Sequence, residues 1–350
     1  MNGDDMKTNI PLYPILVRLI ILICLPLLSN QTSAQSKVGT TIGQFLKIEP
    51  SSRFVAMGNA GTSLSDEASA AFYNPASLGS LQGIDIQFTY NQWLADITYN
   101  YATAAFNIEN IGTFALQVTS LNSGDIEVRT VEQEKGSGLY YDVTNISLGL
   151  AYGIMLTDRV SAGIAFNYIQ ETIYNTSLID VAFNFGVQYK TQIEGLTLGG
   201  SVSNFGPTAS YEGRDIYFNY DADPDKHGDH PAIPSELRTG TYGLPTLFRV
   251  GLSYSVFITD WNRLIVSTDA MHTNDNTERI NFGGEWTFLN SFSLRGGYRD
   301  LFLDDSEGGL VLGAGANVGF SGTSEVSFDY AWADYGRLNS THRFTIGLHF

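Results

Sequence analysis

The residues best suited to chemistry form an acidic cluster with a histidine in the second half of the chain. Its members alternate with other residue types: Asp221, Asp223, Asp225, His227 and Asp229. Carboxylates at this spacing resemble a calcium loop, but an EF-hand requires a glycine and a closing glutamate where this chain has Lys226 and Ala232. A solvated acidic loop is the simpler interpretation. A metal site on the first three aspartates and His227 is the alternative.

Other signs of catalysis are weak. His230 lies in the same acidic segment, and the histidines elsewhere, His272, His342 and His349, suggest no catalytic triad. No Gly-x-Ser-x-Gly motif is present. Gly58 and Gly61 belong to no strand-helix-strand unit of the kind that binds nucleotides. The sequence therefore predicts a protein that is not an enzyme and that carries no cofactor.

Composition narrows the classes of protein that fit. The 350 residues are 16% charged and 13% aromatic, with 36 glycines, whereas soluble domains are about 25% charged. No apolar run approaches the roughly 18 residues that cross a bilayer as a helix. The net charge of -17 would repel nucleic acid phosphates. What remains is a large soluble all-β domain, or a barrel that shows lipid at every second residue.

The N-terminus has the layout of a secretory signal peptide over residues 1–34. Lys7 and Arg18 precede an apolar stretch from Leu19 to Leu28, and small residues lead to Ala34. Cleavage after Ala34 removes the one cysteine, Cys24, together with two basic and two acidic residues. The mature chain then keeps its charge of -17 and has no disulfide.

From residue 82 onward, apolar residues alternate with small or polar ones in pieces of about ten residues. The clearest piece has an apolar row and a polar row: Ile179, Val181, Phe183, Phe185, Val187 and Tyr189 against Asp180, Ala182, Asn184, Gly186 and Gln188. Such pieces number about fourteen, and an even number suits a single-chain outer-membrane barrel. The sequence predicts a closed antiparallel transmembrane β-barrel over residues 82–350.

The links between these pieces alternate between short turns and longer polar loops, as periplasmic turns and extracellular loops do. The predicted long set is 122–143, 206–243, 272–278, 299–308 and 334–340. Acidic residues are concentrated in these long loops, which are therefore the candidate partner-binding surface. The candidate residues are Asp221, Asp223, Asp225, Asp229, Asp304 and Asp305.

The chain ends in an alternating segment from Arg343 to a terminal aromatic residue, Phe350. This end resembles the signal that the bacterial barrel-assembly machinery reads. A terminal strand would also close the sheet against the first strand, so that no edge is left open in the membrane.

Residues 35–81 do not alternate. They are rich in glycine and alanine and stop sharply at Asn74-Pro75. Such a segment is too small to fold alone, and a barrel of about fourteen strands has a lumen wide enough to hold it. The sequence predicts a luminal plug, or hatch, over residues 35–81.

Two motifs in this segment carry a family resemblance: A-M-G-N-A-G at 56–61 and D-E-A-S-A-A-F-Y-N-P-A-S-L at 66–78. They are similar to the N-terminal signature of the PorV/PorQ family of FadL-like outer-membrane barrels, which are associated with the type IX secretion system. The resemblance implies a hatch role for the motif residues, which here are Gly58, Gly61, Asp66, Asn74, Pro75 and Ala76.

The resemblance also implies two functions. In PorV-type secretion or surface attachment, the outer loops bind secreted proteins with C-terminal sorting domains, or other type IX components. In FadL-like transport, small hydrophobic molecules cross the outer membrane passively, which predicts a continuous apolar pocket from the hatch near Asn74 to an opening in the barrel wall. Both place the chain among the lipids of the outer membrane, with no nucleic acid partner.

Overall fold

The structure is a computed structural model that describes residues 37–223, 225, 232–259, 261–303, 306–321 and 324–350. Residues 37–350 group together as one unit. Within the described ranges, no helix is both long enough and apolar enough to cross a membrane. The predicted signal peptide lies outside the described residues and stays a prediction.

Fourteen long strands follow one another in the described part of the chain. Their bounds are β1 Ile84–Gln92, β2 Thr98–Ile108, β3 Gly112–Asn122, β4 Val143–Thr157, β5 Val160–Ile173, β6 Thr176–Lys190, β7 Leu196–Phe205, β8 Leu247–Thr259, β9 Asn262–Thr273, β10 Asn276–Phe288, β11 Phe292–Leu301, β12 Leu310–Ser321, β13 Ser324–Asp334 and β14 Ser340–His349.

Each strand pairs antiparallel with its neighbour in the chain, and the last strand pairs with the first. At this seam the backbone N–H of Ile84 donates to the carbonyl of Phe350, and the N–H of Phe350 donates back to Ile84. No edge therefore faces lipid at the seam. The predicted closed antiparallel barrel of about fourteen strands is confirmed.

The alternation in the sequence sets which face of each strand points outward. In β1, Ile86 and Phe88 are 42% and 48% exposed, whereas Asp85 and Gln87 are 1% and 4% exposed. Successive side chains of a strand point to opposite faces, so the apolar row faces outward, where lipid lies in a membrane, and the polar row faces the lumen.

The hatch, defined here as residues 37–81, consists of short elements. They are a 3₁₀ turn at Gln44–Lys47, helix α1 at Ser52–Ala56, helix α2 at Ala70–Tyr73 and a 3₁₀ turn at Pro75–Ser80. Side-chain caps start two of them: the Ser51 hydroxyl accepts from the Phe54 N–H, and the Asn74 side chain accepts from the Ala76 N–H. Nearly every residue from Ile48 to Leu81 is buried.

The remaining elements lie in the links. They are 3₁₀ turns at Leu94–Asp96, Arg214–Ile216 and Gly336–Leu338, and short strands at Ile126–Glu127, Tyr140–Tyr141, Thr208–Ala209, Glu212–Gly213, Tyr217–Tyr220, Ile233–Glu236 and Tyr242–Gly243.

The strand ends that flank the long links 123–142, 206–246 and 302–309 all lie at one rim, and the strand ends that flank the predicted short turns lie at the other. One loop prediction is wrong. Residues 272–278 form a tight turn rather than a long loop, because β9 runs to Thr273 and β10 begins at Asn276. Only Asn274 and Asp275 separate the two strands, since the polar residues on either side continue the ladder. The loop rim is the extracellular rim in outer-membrane barrels, and the turn rim is periplasmic.

Candidate functional site

The hatch runs through the lumen from the loop rim to the turn rim. At the loop rim, Thr41 bridges to Gly243, and the Ile42 N–H donates to the Gly243 carbonyl at 3.1 Å. At the turn rim, the chain leaves the hatch and enters β1 at Ile84, beside the C-terminal residue. The hatch therefore occupies the lumen along its length.

A row of wall glycines lets the hatch backbone approach the barrel. The row takes one or more members from most strands between β4 and β12: Gly153, Gly163, Gly186, Gly199, Gly251, Gly283, Gly297 and Gly313. A Cβ on Gly163 would lie 2.3 Å from the Pro75 carbonyl carbon, a distance at which backbone must move. Any side chain at this position would therefore collide with the hatch.

Asn74 joins the hatch to itself and to the wall. Its side-chain amide donates to the Thr62 carbonyl at 2.9 Å and to the Val187 carbonyl on β6 at 3.1 Å, and its oxygen accepts from the Ala76 N–H at 3.0 Å. Asn74 is fully buried. Pro75 follows at the first position of the 3₁₀ turn, where a missing N–H costs nothing.

The other predicted hatch residues also lie at close contacts. Gly58 has φ +67°, and a Cβ there would be 2.4 Å from the Phe282 carbonyl oxygen, so the position requires glycine. A Cβ on Gly61 would press on the Tyr73 ring at 3.0 Å. Asp66 has φ +87° and a side chain that is 58% exposed.

A buried charged network fixes α1 to the wall. The Arg53 guanidinium donates to both carboxylate oxygens of Glu285 on β10, at 2.8 and 2.9 Å, and lies 3.4 Å from Glu67. Arg295 on β11 donates to Glu285 at 2.6 Å and to Asp329. Bidentate pairing of this kind is the strong form of ion pairing, and losing one partner leaves a buried charge uncompensated.

A second anchor holds the hatch at the loop rim. Asp275, in the tight turn, accepts from Lys47 at 2.8 Å, from Gln44 at 3.1 Å and from Thr41 at 2.9 Å. Burial alone would raise the pKa of Asp275, but the hydrogen bonds from Lys47, Gln44 and Thr41 lower this pKa to about 2. The anchor is therefore charged at neutral pH.

The small cavity above the hatch is polar. It has a volume of about 20 Å³, enough for about one water molecule. Most of its wall is hydroxyl or amide, including Asn167, Asn184 and Ser203. It lies beside a register shift between β6 and β7, where the Asn184 side chain accepts the Asn204 N–H at 2.8 Å and satisfies the freed backbone donor.

The outer ribbon is a two-stranded hairpin formed by Tyr217–Tyr220 and Ile233–Glu236 in the longest loop. Its apolar side chains face solvent: Tyr217 is 61% exposed, Phe218 43%, Tyr220 50% and Ile233 40%. In the described residues, the ribbon pairs with no third strand. An isolated hairpin with an exposed apolar surface is marginally stable in water and is a common feature of partner sites.

A family comparison assigns the first half of this architecture. Residues 30–196 match the model of the family described as type IX secretion system protein PorV. Over these residues, the chain is similar to the PorV family. The matched segment contains the described hatch and strands β1 to β6. The predicted family is confirmed, and with it the outer membrane as the location.

Solved structures share the fold of this barrel. The Pseudomonas putida toluene transporter TodX is 12% identical, covers 86% of this chain with 97% of its own, and has a TM-score of 0.53. The CymD monoaromatic hydrocarbon channel is 12% identical, covers 85% of this chain with 96% of its own, and has a TM-score of 0.51. At this identity, the likeness concerns the fold alone. A search of proteins with curated functions found no match.

The structure describes only some of the predicted loop residues. Asp221 accepts the backbone N–H of Asp223 at 3.0 Å, and Asp225 is exposed. His227, Asp229, Asp304 and Asp305 lie outside the described residues. In the described part of the chain, no group of three or more His, Cys, Asp or Glu side chains is arranged to hold a metal ion.

The sequence missed two of the pairings that hold the hatch. The alternation around Glu285 is consistent with a luminal side chain, but nothing local connects Glu285 with Arg53, 232 residues away. Asp275 was assigned to a long loop, so its contact with Lys47 was not predicted. One signal could have suggested this pairing: Glu285 is an acidic residue on a luminal row, and the hatch has few basic residues, of which Arg53 is one.

Proposed function

We propose that this chain is a non-enzymatic component of type IX secretion that binds secreted proteins through its outer loops. One observation carries the proposal: in the described residues, the hatch occupies the lumen from one rim to the other, whereas the outer ribbon leaves aromatic side chains in solvent. A barrel whose lumen is occupied by a hatch is expected to act through its surface. The family match supports secretion as the process.

The chemistry of the outer ribbon favours an extended polypeptide as the partner. Pro234 lacks an N–H, so Tyr217–Tyr220 offers the better free edge for a third strand. Strand addition supplies main-chain hydrogen bonds, and exposed aromatic residues add contact area. The described part of loop 206–246 has six acidic residues and two arginines, which favours a partner strand flanked by lysine or arginine.

Capture from native membranes tests this proposal. The tagged wild-type barrel should recover secreted proteins with C-terminal sorting domains together with other type IX components. The double substitution Tyr217→Ser, Phe218→Ser should lose the cargo. Val131→Ser, at a loop position that is 93% exposed, is the matched control and should retain it. Recovery of neither cargo nor components by the wild-type barrel would refute the proposal.

Passive transport of small hydrophobic molecules is the second candidate, because the fold is shared with TodX and CymD. It requires an apolar path past Asn74, but Asn74 is buried and hydrogen-bonded on three sides. The cavity beside the wall irregularity is polar and has room for about one water molecule. Uptake of a monoaromatic compound into proteoliposomes, faster than into empty liposomes, would favour transport over the closed lumen.

A further inference from the structure

A second, larger cavity opens at the turn rim, on the opposite side of the barrel from the outer ribbon. It has a volume of about 510 Å³, within the range of about 300–1,000 Å³ typical of ligand pockets. Exposed residues of the turn rim, including Gln82, Asn290 and Asn317, border it. Its floor is the charged network between α1 and the wall.

The lining of this cavity has an excess of negative charge. Six carboxylates contribute: Asp66, Glu67, Asp85, Glu285, Glu325 and Asp329. Three arginines oppose them: Arg53, Arg263 and Arg295. His349 lies 3.3 Å from Asp85 and adds a positive charge when protonated. Even then, two negative charges are left uncompensated in a concave site, where a low-dielectric wall strengthens the field.

The arginines are not free to bind an anion. Arg53 and Arg295 donate hydrogen bonds to Glu285 and Asp329 in the floor of the cavity. Arg263 forms only long ion pairs. Its guanidinium nitrogens lie 3.9 Å from a carboxylate oxygen of Asp66 and 3.8 Å from one of Glu285, and both distances exceed hydrogen-bond length. The cavity therefore suits a cation better than a phosphate or a carboxylate.

Three carboxylates have capacity for an incoming cation. Asp66 is exposed at the mouth, and its nearest arginines lie at 3.9 and 4.0 Å. Glu325 is exposed and forms no ion pair with another described residue. Asp85 is 1% exposed; its Oδ2 accepts the Ala68 N–H at 2.8 Å and lies 3.3 Å from the His349 Nδ1, whereas its Oδ1 has no hydrogen-bond partner in the described residues.

We propose that this turn-rim cavity binds the ammonium or guanidinium group of a lysine or arginine side chain on a periplasmic polypeptide. The open mouth admits a long side chain while its backbone stays at the rim. Asp66 and Glu325 are exposed, so they contact the incoming cationic group first, and Asp85 lies deeper in the wall. The site is independent of the outer ribbon and of the secreted cargo proposed for it.

Calorimetry on the full chain in nanodiscs at low salt tests the site, with a blocked peptide that contains two lysines as the probe. The wild type should bind it saturably, and high salt should weaken the binding. Asp66→Asn and Glu325→Gln should each raise Kd about three- to fivefold, as expected for exposed charge pairs. Arg263→Gln should lower Kd, because it removes the competing cation.

Matched controls separate this site from general charge attraction. Glu212→Gln removes one exposed carboxylate at the loop rim and should leave Kd unchanged. The same peptide with acetylated lysines should not bind. Equal affinities in all four variants would overturn the proposal, and so would binding of spermidine without binding of the lysine peptide, since the source would then be a free polyamine.

Discussion

The inside of the barrel and its outer ribbon differ in the burial of their side chains and in their contacts with the rest of the barrel. Inside, Asn74 and Arg53 are 0% and 7% exposed and bonded to the wall. In the ribbon, Tyr217 is 61% exposed, and the hairpin pairs with no other described strand. Close packing of the hatch against the wall stabilises the inside of the barrel. The ribbon adds little stability, and its side chains are available to a partner.

The largest expected effect comes from breaking the buried network with Arg53→Met. Glu67 loses its cation and Glu285 loses a bidentate partner, so the free energy of unfolding should fall by about 3–5 kcal/mol. Arg129→Met is the control, because its pairing with Glu127 at 3.8 Å is exposed, and it should change stability by less than about 1 kcal/mol. Urea titration of tryptophan fluorescence in lipid vesicles measures both. Equal losses would remove the distinction between inside and outside.

The next effect concerns the approach of hatch to wall. Gly163→Ala places a Cβ 2.3 Å from the Pro75 backbone, and the strain should cost about 2–3 kcal/mol. Gly200→Ala is the same substitution where the nearest atom, on Val187, would be 3.8 Å away. It should be close to neutral in the same titration. If Gly163→Ala is also neutral, the hatch does not press on the wall as described.

A smaller effect should appear in acid, at the rim where inside meets outside. The pKa of Asp275 is lowered to about 2 in the folded chain, against an ordinary value of about 3.9. A lowered pKa stabilises the fold above the unfolded value, and this contribution is lost as pH falls from about 4 towards 2. The stability difference between wild type and Asp275→Asn should therefore be full at pH 6 and shrink below pH 4. A difference independent of pH would contradict a charged anchor.

The smallest effect on stability is expected in the outer ribbon. Tyr217→Ser with Phe218→Ser should leave the free energy of unfolding within about 0.5 kcal/mol of the wild type, because both side chains are exposed and little burial is lost. The same variant is expected to lose its cargo in the capture experiment. A large loss of stability would mean that the ribbon packs against the barrel, and the contrast between the two regions would fail.

The alternation of apolar and polar residues in the sequence was sufficient to predict the barrel. Strands such as β1 and β6 show their apolar row outward and their polar row inward, because a strand has a side-chain period of two. The closing strand was also predictable, from the alternation that ends at Phe350. The turn at Asn274-Asp275 was misjudged, since polar residues that continue a ladder have the same composition as a loop.

The sequence by itself determined the strands, the two faces of the wall and the segment that has no alternation, because these depend on local patterns. Only the tertiary structure decided how that segment lies in the lumen. Hydrogen bonds between the hatch and the barrel join Arg53 to Glu285, Asn74 to Val187 and Lys47 to Asp275. In each case the partners are more than 100 residues apart in the sequence. Such pairings depend on which luminal positions barrel closure brings together, and no local pattern records this.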